Sequence, residues 1–249
     1  MTRILLLGGT TEANLMARAI AEAGLAGVYS YAGRTEAPMG QPIHMRVGGF
    51  GGVTGLRAYL TAESITHVID ATHPFAAQMS RNAVSACEAS GIPLIALERA
   101  PWTAGEGDRW TMVPDLPAAV AALAGPPRRV FLGIGRQNLE PFAAQPQHHY
   151  LLRLVDAPTG PLPLPQADVV VARGPFDVAG DSALMRDHGT EVVVAKNAGG
   201  KGAVAKIAAA RALGLPVVMI DRPMIPPRPV ARSVAAVMDW LHHPALRGE

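Results

Sequence analysis

The residues from Gly8 to Ala13, Gly-Gly-Thr-Thr-Glu-Ala, have the types and order needed to hold a phosphate. Four apolar residues, Ile4 to Leu7, precede them, and Ala13, Met16, Ala17 and Ile20 follow at helical spacing. A buried strand, a glycine turn and a helix start together make an anion site. The first-turn N–H groups lack intrahelical acceptors, and the helix dipole adds to their field. Against the dinucleotide pattern G-x-G-x-x-G/A the stretch reads Gly8, Thr10 and Ala13, with threonine in place of the second glycine. An ordinary βα turn has the same form, so the turn alone leaves both readings open. Ser30 and Arg34 lie at the end of the next expected strand, Val28 to Ala32, and no acid follows before Glu36. Arginine there suits a ribose 2′-phosphate, whereas an acid selects the free hydroxyl. The pattern favours NADPH over NADH, with a plain surface arginine as the alternative.

Two further groups carry chemistry. Ala71-Thr72-His73-Pro74 closes the expected strand His67 to Asp70. In an open α/β sheet that strand ends beside the first one, so Thr72 and His73 should share an edge with Gly9 and Thr10. His73 is then a candidate acid or ligand donor, with a structural loop cap as the competing reading. The second group is cationic: Arg136, Arg173, Lys196, Lys201 and Arg222 each follow an expected strand or sit in a glycine-rich turn beyond one. On parallel strands these charges gather on one rim, which suits carboxylates or phosphates. Ordinary ion pairs with Asp181, Glu191 or Asp221 are the alternative use. Gly48-Gly49-Phe50-Gly51-Gly52 cannot form a regular element, so it either brings backbone close to a ligand or moves.

Other chemistries lack their residues. No histidine pair has H-x-x-x-H or H-E-x-x-H spacing, and His148 and His149 would face opposite sides of a strand, so no metal set is expected. There is no G-x-S-x-G elbow. Gly199-Gly200-Lys201-Gly202 lacks the spacing and hydroxyl of a P-loop. The single cysteine, Cys87, falls in the apolar pattern of a helix and reads as a small buried hydrophobe.

These residues need a scaffold of strands alternating with helices, and the chain supplies it twice. Gly91-Ile92-Pro93-Leu94-Ile95 and Gly214-Leu215-Pro216-Val217-Val218 match in kind, each after an alanine-rich helix and each leading to an acid-Arg pair near a proline. Each half offers five strands. The expectation is α/β: two Rossmann-like domains, 1–110 and 111–249, with parallel sheets facing each other across a cleft. The first would bind the cofactor and the second the substrate.

The 249 residues are 49% hydrophobic and 17% charged, which favours filled cores over disorder. With 22 basic and 20 acidic residues and no basic run, nucleic acid and membrane surfaces are poor partners. The chain opens on a strand with no signal-like segment, so a cytoplasmic protein is expected.

Gly8-Gly9-Thr10-Thr11-Glu12-Ala13, Gly48-Gly49-Phe50-Gly51-Gly52, Asp70-Ala71-Thr72-His73-Pro74-Phe75-Ala76, Gly133-Ile134-Gly135-Arg136, Lys196-Asn197-Ala198-Gly199-Gly200 and Arg222-Pro223 together resemble the precorrin-6A reductase family of cobalamin biosynthesis. The resemblance runs from the first strand to the last. It implies an NADPH-dependent enzyme that saturates one double bond of a tetrapyrrole macrocycle, giving precorrin-6B, without flavin or metal. It also implies transfer contacts with neighbouring pathway enzymes. Under it, Gly9, Thr10, Thr11, Glu12, Ala13, Ser30, Arg34, Gly49 and Thr72 would bind NADPH. Arg136, Lys196, Lys201 and Arg222 would take the substrate's carboxylates, and His73 would lie nearest the reacting atoms. A non-catalytic nucleotide or tetrapyrrole carrier, or a reductase of another conjugated substrate, are the rival readings.

Overall fold

The computed structural model describes residues 2–33 and 39–242. They form two compact units, Met1–Ala100 with Met224–Glu249, and Pro101–Pro223.

The first unit contains β1 (Arg3–Leu7), α1 (Thr11–Glu22), β2 (Ala26–Tyr31), β3 (His44–Val47), α2 (Gly52–Ala62), β4 (His67–Asp70), α3 (Ala77–Ser90) and β5 (Leu94–Leu97). It is completed by β12 (Val230–Ala231) and α7 (Val234–His242) from the far end of the chain. The second unit contains β6 (Arg109–Val113), α4 (Leu116–Ala121), β7 (Arg129–Gly133), β8 (His149–Leu154), β9 (Ala167–Val171), α5 (Val178–His188), β10 (Val192–Lys196), α6 (Ala205–Ala212) and β11 (Pro216–Ile220). Two short 3-10 turns, Arg136–Asn138 and Glu140–Ala144, stand between β7 and β8.

Each unit has one six-stranded sheet, in the orders β3-β2-β1-β4-β5-β12 and β9-β8-β7-β10-β11-β6. Every strand pair is parallel. The two orders are the same once β6 is given the place of β12. Both sheets reverse their winding at the centre, between β1 and β4 and between β7 and β10, where open α/β sheets bind ligands.

The central strands read as apolar runs because both their faces are covered. Ile4 and Leu6 pack with Met16 and Ile20 of α1 and Trp240 of α7. Leu5 and Leu7 pack on the other face with Leu56, Leu60, Val84 and Cys87. Burial pushes the Cys87 thiol up to about 12, as suits an inert core residue. In the second unit Phe131, Val193, Val217 and Met219 pack against Met185 and Ile207.

The structure corrects the expected domain limits. A boundary between 110 and 111 would cut β6, which pairs with β11 in the second sheet, and residues 224–249 rejoin the first unit instead of the second. Both displaced strands are sheet edges. On β6, Arg109, Thr111 and Met112 are exposed, so it lacks the apolar run of a central strand. β12 is two residues long and follows Pro226, Pro227 and Pro229. Among the described residues, no helix is long and apolar enough to cross a membrane.

Candidate active site

In the first unit the register sets Leu7 level with both Ser30 and Asp70, so β1, β2 and β4 end together. Gly9 follows in the left-handed region at φ 107°, which favours glycine. Thr10 caps α1: its Oγ1 accepts the Ala13 N–H at 3.1 Å and donates to the Ala71 carbonyl at 2.7 Å. One hydroxyl thus closes the helix start and ties it to the loop after β4. Gly9–Thr10 and Thr72–His73 share the sheet edge, as the strand order required.

The turn rests on Tyr29, which sequence reasoning missed. Its fully buried ring lies where a Gly8 side chain would stand, 2.2 Å from an added Cβ. Its hydroxyl accepts the Gly9 N–H at 2.9 Å and donates to Asn14 Oδ1 at 2.8 Å. Burial raises the phenol pKa, so this hydroxyl keeps its proton. The Thr11 and Glu12 amides are the first-turn donors that a helix leaves without intrahelical partners. The Glu12 carboxylate itself pairs with Arg99 at 2.8 Å.

After β4, the Thr72 N–H and hydroxyl both donate to Asp70 Oδ1, at 3.1 and 2.7 Å. His73 Nδ1 accepts the Phe75 N–H at 3.2 Å, which assigns the proton of the neutral ring to Nε2.

At the ends of β2 and β3 the structure brings in Arg46, a second residue missed in the sequence. Its Nη1 donates to Ser30 Oγ at 2.6 Å and to the Gly48 carbonyl at 2.9 Å, and its Nη2 donates to the Gly49 carbonyl at 3.2 Å. The guanidinium lies 3.9 Å from the Phe50 ring centre, a cation–π contact. Burial lowers its pKa from the usual arginine value. Arg46 is a strand-end cation before glycines, the same signal that marked the cations of the second half. Arg34 lies outside the described residues. A Cβ built on Gly9, Gly48 or Gly49 would meet nothing within 4 Å, so backbone faces open space at all three.

In the second unit the loop after β10 is held from two sides. Arg222 Nε and Nη2 donate to the carbonyls of Asn197 and Ala198, each at 3.0 Å. The buried Asn197 side chain accepts the Trp102 N–H at 2.8 Å and donates to its carbonyl at 3.0 Å, while Trp102 Nε1 donates to the Gly200 carbonyl at 2.8 Å. Lys196 ends β10, and Lys201 stands exposed beyond the clasped loop. Arg136 is exposed after Gly135, and among the described residues neither Arg136 nor Lys201 has an ion pair. Arg173 pairs with Asp156 at 2.6 Å, an acid outside the expected set.

The family model for precorrin-6x reductase CbiJ/CobK matches residues 3–242. The chain belongs to this family. It is 64% identical over 241 residues to the precorrin-6A reductase of Rhodobacter capsulatus, covering 97% of this chain and 96% of that one. Identity to the precorrin-6A reductase of Mycobacterium tuberculosis is 40% over 246 residues, covering 99% and 97%. Identity to the cobalt-precorrin-6A reductase of Priestia megaterium is 31% over 234 residues, covering 89% and 91%. A solved structure of a CobK precorrin-6A reductase matches with a TM-score of 0.93 at 63% identity, covering 97% of this chain and 96% of that one. As a precorrin-6x reductase, the chain carries two sheet-edge loci of different chemistry. One is built from backbone, hydroxyls and the Arg46 guanidinium, the other from strand-end cations.

Proposed function

We propose that this reductase uses NADPH to saturate one double bond of precorrin-6A, giving precorrin-6B. The first unit holds the cofactor and the second binds the substrate's carboxylates. The cofactor half rests on one observation, the Thr10 hydroxyl bridging Ala13 N–H and the Ala71 carbonyl. That bridge presents a helix N-terminus at the switch point of a parallel sheet, beside backbone open at Gly9. This donor set fits a pyrophosphate. Gly9, Thr10, Thr11, Glu12 and Ala13 would frame it, with the Thr11 and Glu12 amides and the Thr11 hydroxyl as donors, since the Gly9 and Ala13 N–H groups and the Thr10 hydroxyl are bonded within the turn. Ser30, Arg34 and Arg46 would hold the ribose 2′-phosphate, and Gly49 and Thr72 would border the bound molecule. When bound, NADPH supplies the hydride that adds to one ring carbon.

The chain's own residues then do the positioning. Asp70 fixes Thr72, and the Phe75 amide fixes the His73 ring through Nδ1, so that Nε2 is the nitrogen that would pass a proton to the neighbouring ring carbon. Solvent water is the competing proton source. Arg136, Lys196, Lys201 and Arg222 offer charge to the macrocycle's carboxylates.

The test mixes the protein with NADPH and precorrin-6A. Loss of nicotinamide absorbance with a pigment shift is expected; tight binding of both without oxidation would make the protein a carrier. In the same assay Arg46→Ala should raise the KM for NADPH well above its effect on NADH, and equal effects would remove Arg46 from the 2′-phosphate.

A further inference from the structure

The N-terminal edge of the second sheet carries a cluster that the reductase reading does not use. His149 opens β8, Asp168 is the second residue of β9, and His188 ends α5. β8 and β9 are parallel, and Tyr150 pairs with Ala167, so their first residues lie together. Lys196 ends β10 at the other edge of the same sheet.

Both imidazoles converge on one carboxylate oxygen. His149 Nε2 lies 2.9 Å from Asp168 Oδ2, and His188 Nδ1 lies 3.3 Å from the same atom. Each of the three residues offers a ligand atom within 4.8 Å of the other two. Small side-chain shifts would bring such a set to the distance of about 2 Å at which zinc binds nitrogen and oxygen.

His188 is 6% exposed, and its Nδ1 also lies 3.4 Å from Arg129 Nη2, a contact that a bound ion would displace. Two imidazoles and a carboxylate oxygen gathered in one cluster are ligand types of the zinc class.

We propose that His149, Asp168 and His188 bind a first-row divalent transition ion of the zinc class, with water completing the coordination. Asp168 and His149 are accessible, so the ion can enter from solvent. The three ligands come from elements far apart in sequence, so the ion pins the end of α5 to the start of β8 and β9. Binding to the folded state alone stabilises this unit by mass action. Arg129 opposes the ion's charge and keeps the affinity below that of a closed structural site. Its Nε is fixed on the His188 carbonyl, and its backbone N–H on Glu191 Oε2 at 2.8 Å.

The experiment uses the full chain, untagged and stripped of metal. Zinc is titrated by calorimetry and thermal melting, and cobalt(II) by its visible absorption. The wild-type chain should bind one equivalent of zinc, melt higher with it, and give cobalt a ligand-field band of low-symmetry nitrogen–oxygen coordination. Asp168→Asn and His149→Ala, both at accessible positions, should each weaken zinc binding by about tenfold or more and lose the band. Zinc affinity unchanged in both variants, or no binding by a wild-type chain that melts cooperatively, would overturn the proposal.

Discussion

Two turns occupy the same place in the two sheets, and they are built differently. After β1 the chain passes through Gly8, Gly9 and Thr10 into a twelve-residue α-helix capped by Thr10. After β7 it passes through Ile134 and Gly135 into two 3-10 turns of three and five residues. A 3-10 turn of that length lines up few peptide dipoles, so the second sheet has little helix field at its switch point. It carries side-chain cations instead. Backbone donors in a fixed turn match one compact anion of constant shape, while long flexible cations match several carboxylates spread around a large ligand. One strand order thus carries two different sets of groups at its switch point, and the difference lies in the segment that leaves the central strand.

The strongest way to break this comparison is to fill the equivalent glycines. Gly8→Ala puts a Cβ 2.2 Å from the Tyr29 ring, which is locked in the core, whereas Gly133→Ala meets the Lys206 side chain at 2.9 Å. The first should cost about 1–3 kcal/mol or more and weaken NADPH binding. The second should cost less, because the lysine chain can shift. Urea unfolding and NADPH titration of both variants check this, and equal costs would show that the two turns are equally constrained.

A second pair of variants separates structural cations from ligand-facing ones. Arg222→Ala leaves the Asn197 and Ala198 carbonyls without their donor and should lower stability by about 1–2 kcal/mol. Lys201→Ala should leave the melting temperature almost unchanged and raise the KM for the tetrapyrrole several-fold. If Lys201→Ala has no kinetic effect, the anion rim shrinks to its clasped members.

The smallest effect sharpens the backbone side. Tyr29→Phe keeps the ring and removes the acceptor of the Gly9 N–H, at a cost of about 1 kcal/mol since that amide can turn to water. The expected kinetic result is a change in the KM for NADPH with kcat for the bound complex preserved. A fall in kcat alone would place Tyr29 in the chemistry rather than under the turn.

Much of the scaffold was legible because central parallel strands declare themselves as apolar runs: Ile4–Leu7, Val130–Leu132 and Val192–Val194 needed no partner to be read. The strands that escaped, β6 and β12, are edges whose existence depends on β11 and β5. The site divides the same way. Gly8 to Ala13 and the strand-end cations are local patterns. Arg46 has the same strand-end pattern, but Arg34 stood closer to the place where a ribose is expected and hid it. Tyr29 under Gly8, Asn197 on Trp102, and the convergence of His149, Asp168 and His188 arise only when remote segments pair, and no spacing in one stretch encodes them.

The placement of β12 and α7 sets an order on biosynthesis. Residues 101–223 are contiguous, so the second unit has all its strands once Pro223 has left the ribosome. The first unit is started before residue 101 and completed only by residues after 223. Until β12 and α7 are made, β5 lacks the edge that bonds Ala96 N–H to Pro229 and Glu98 N–H to Ala231, and the face later covered by Val237, Trp240 and Leu241 stays open to water. The nascent first unit therefore waits, with its glycine turn already translated, for α7 to close its core.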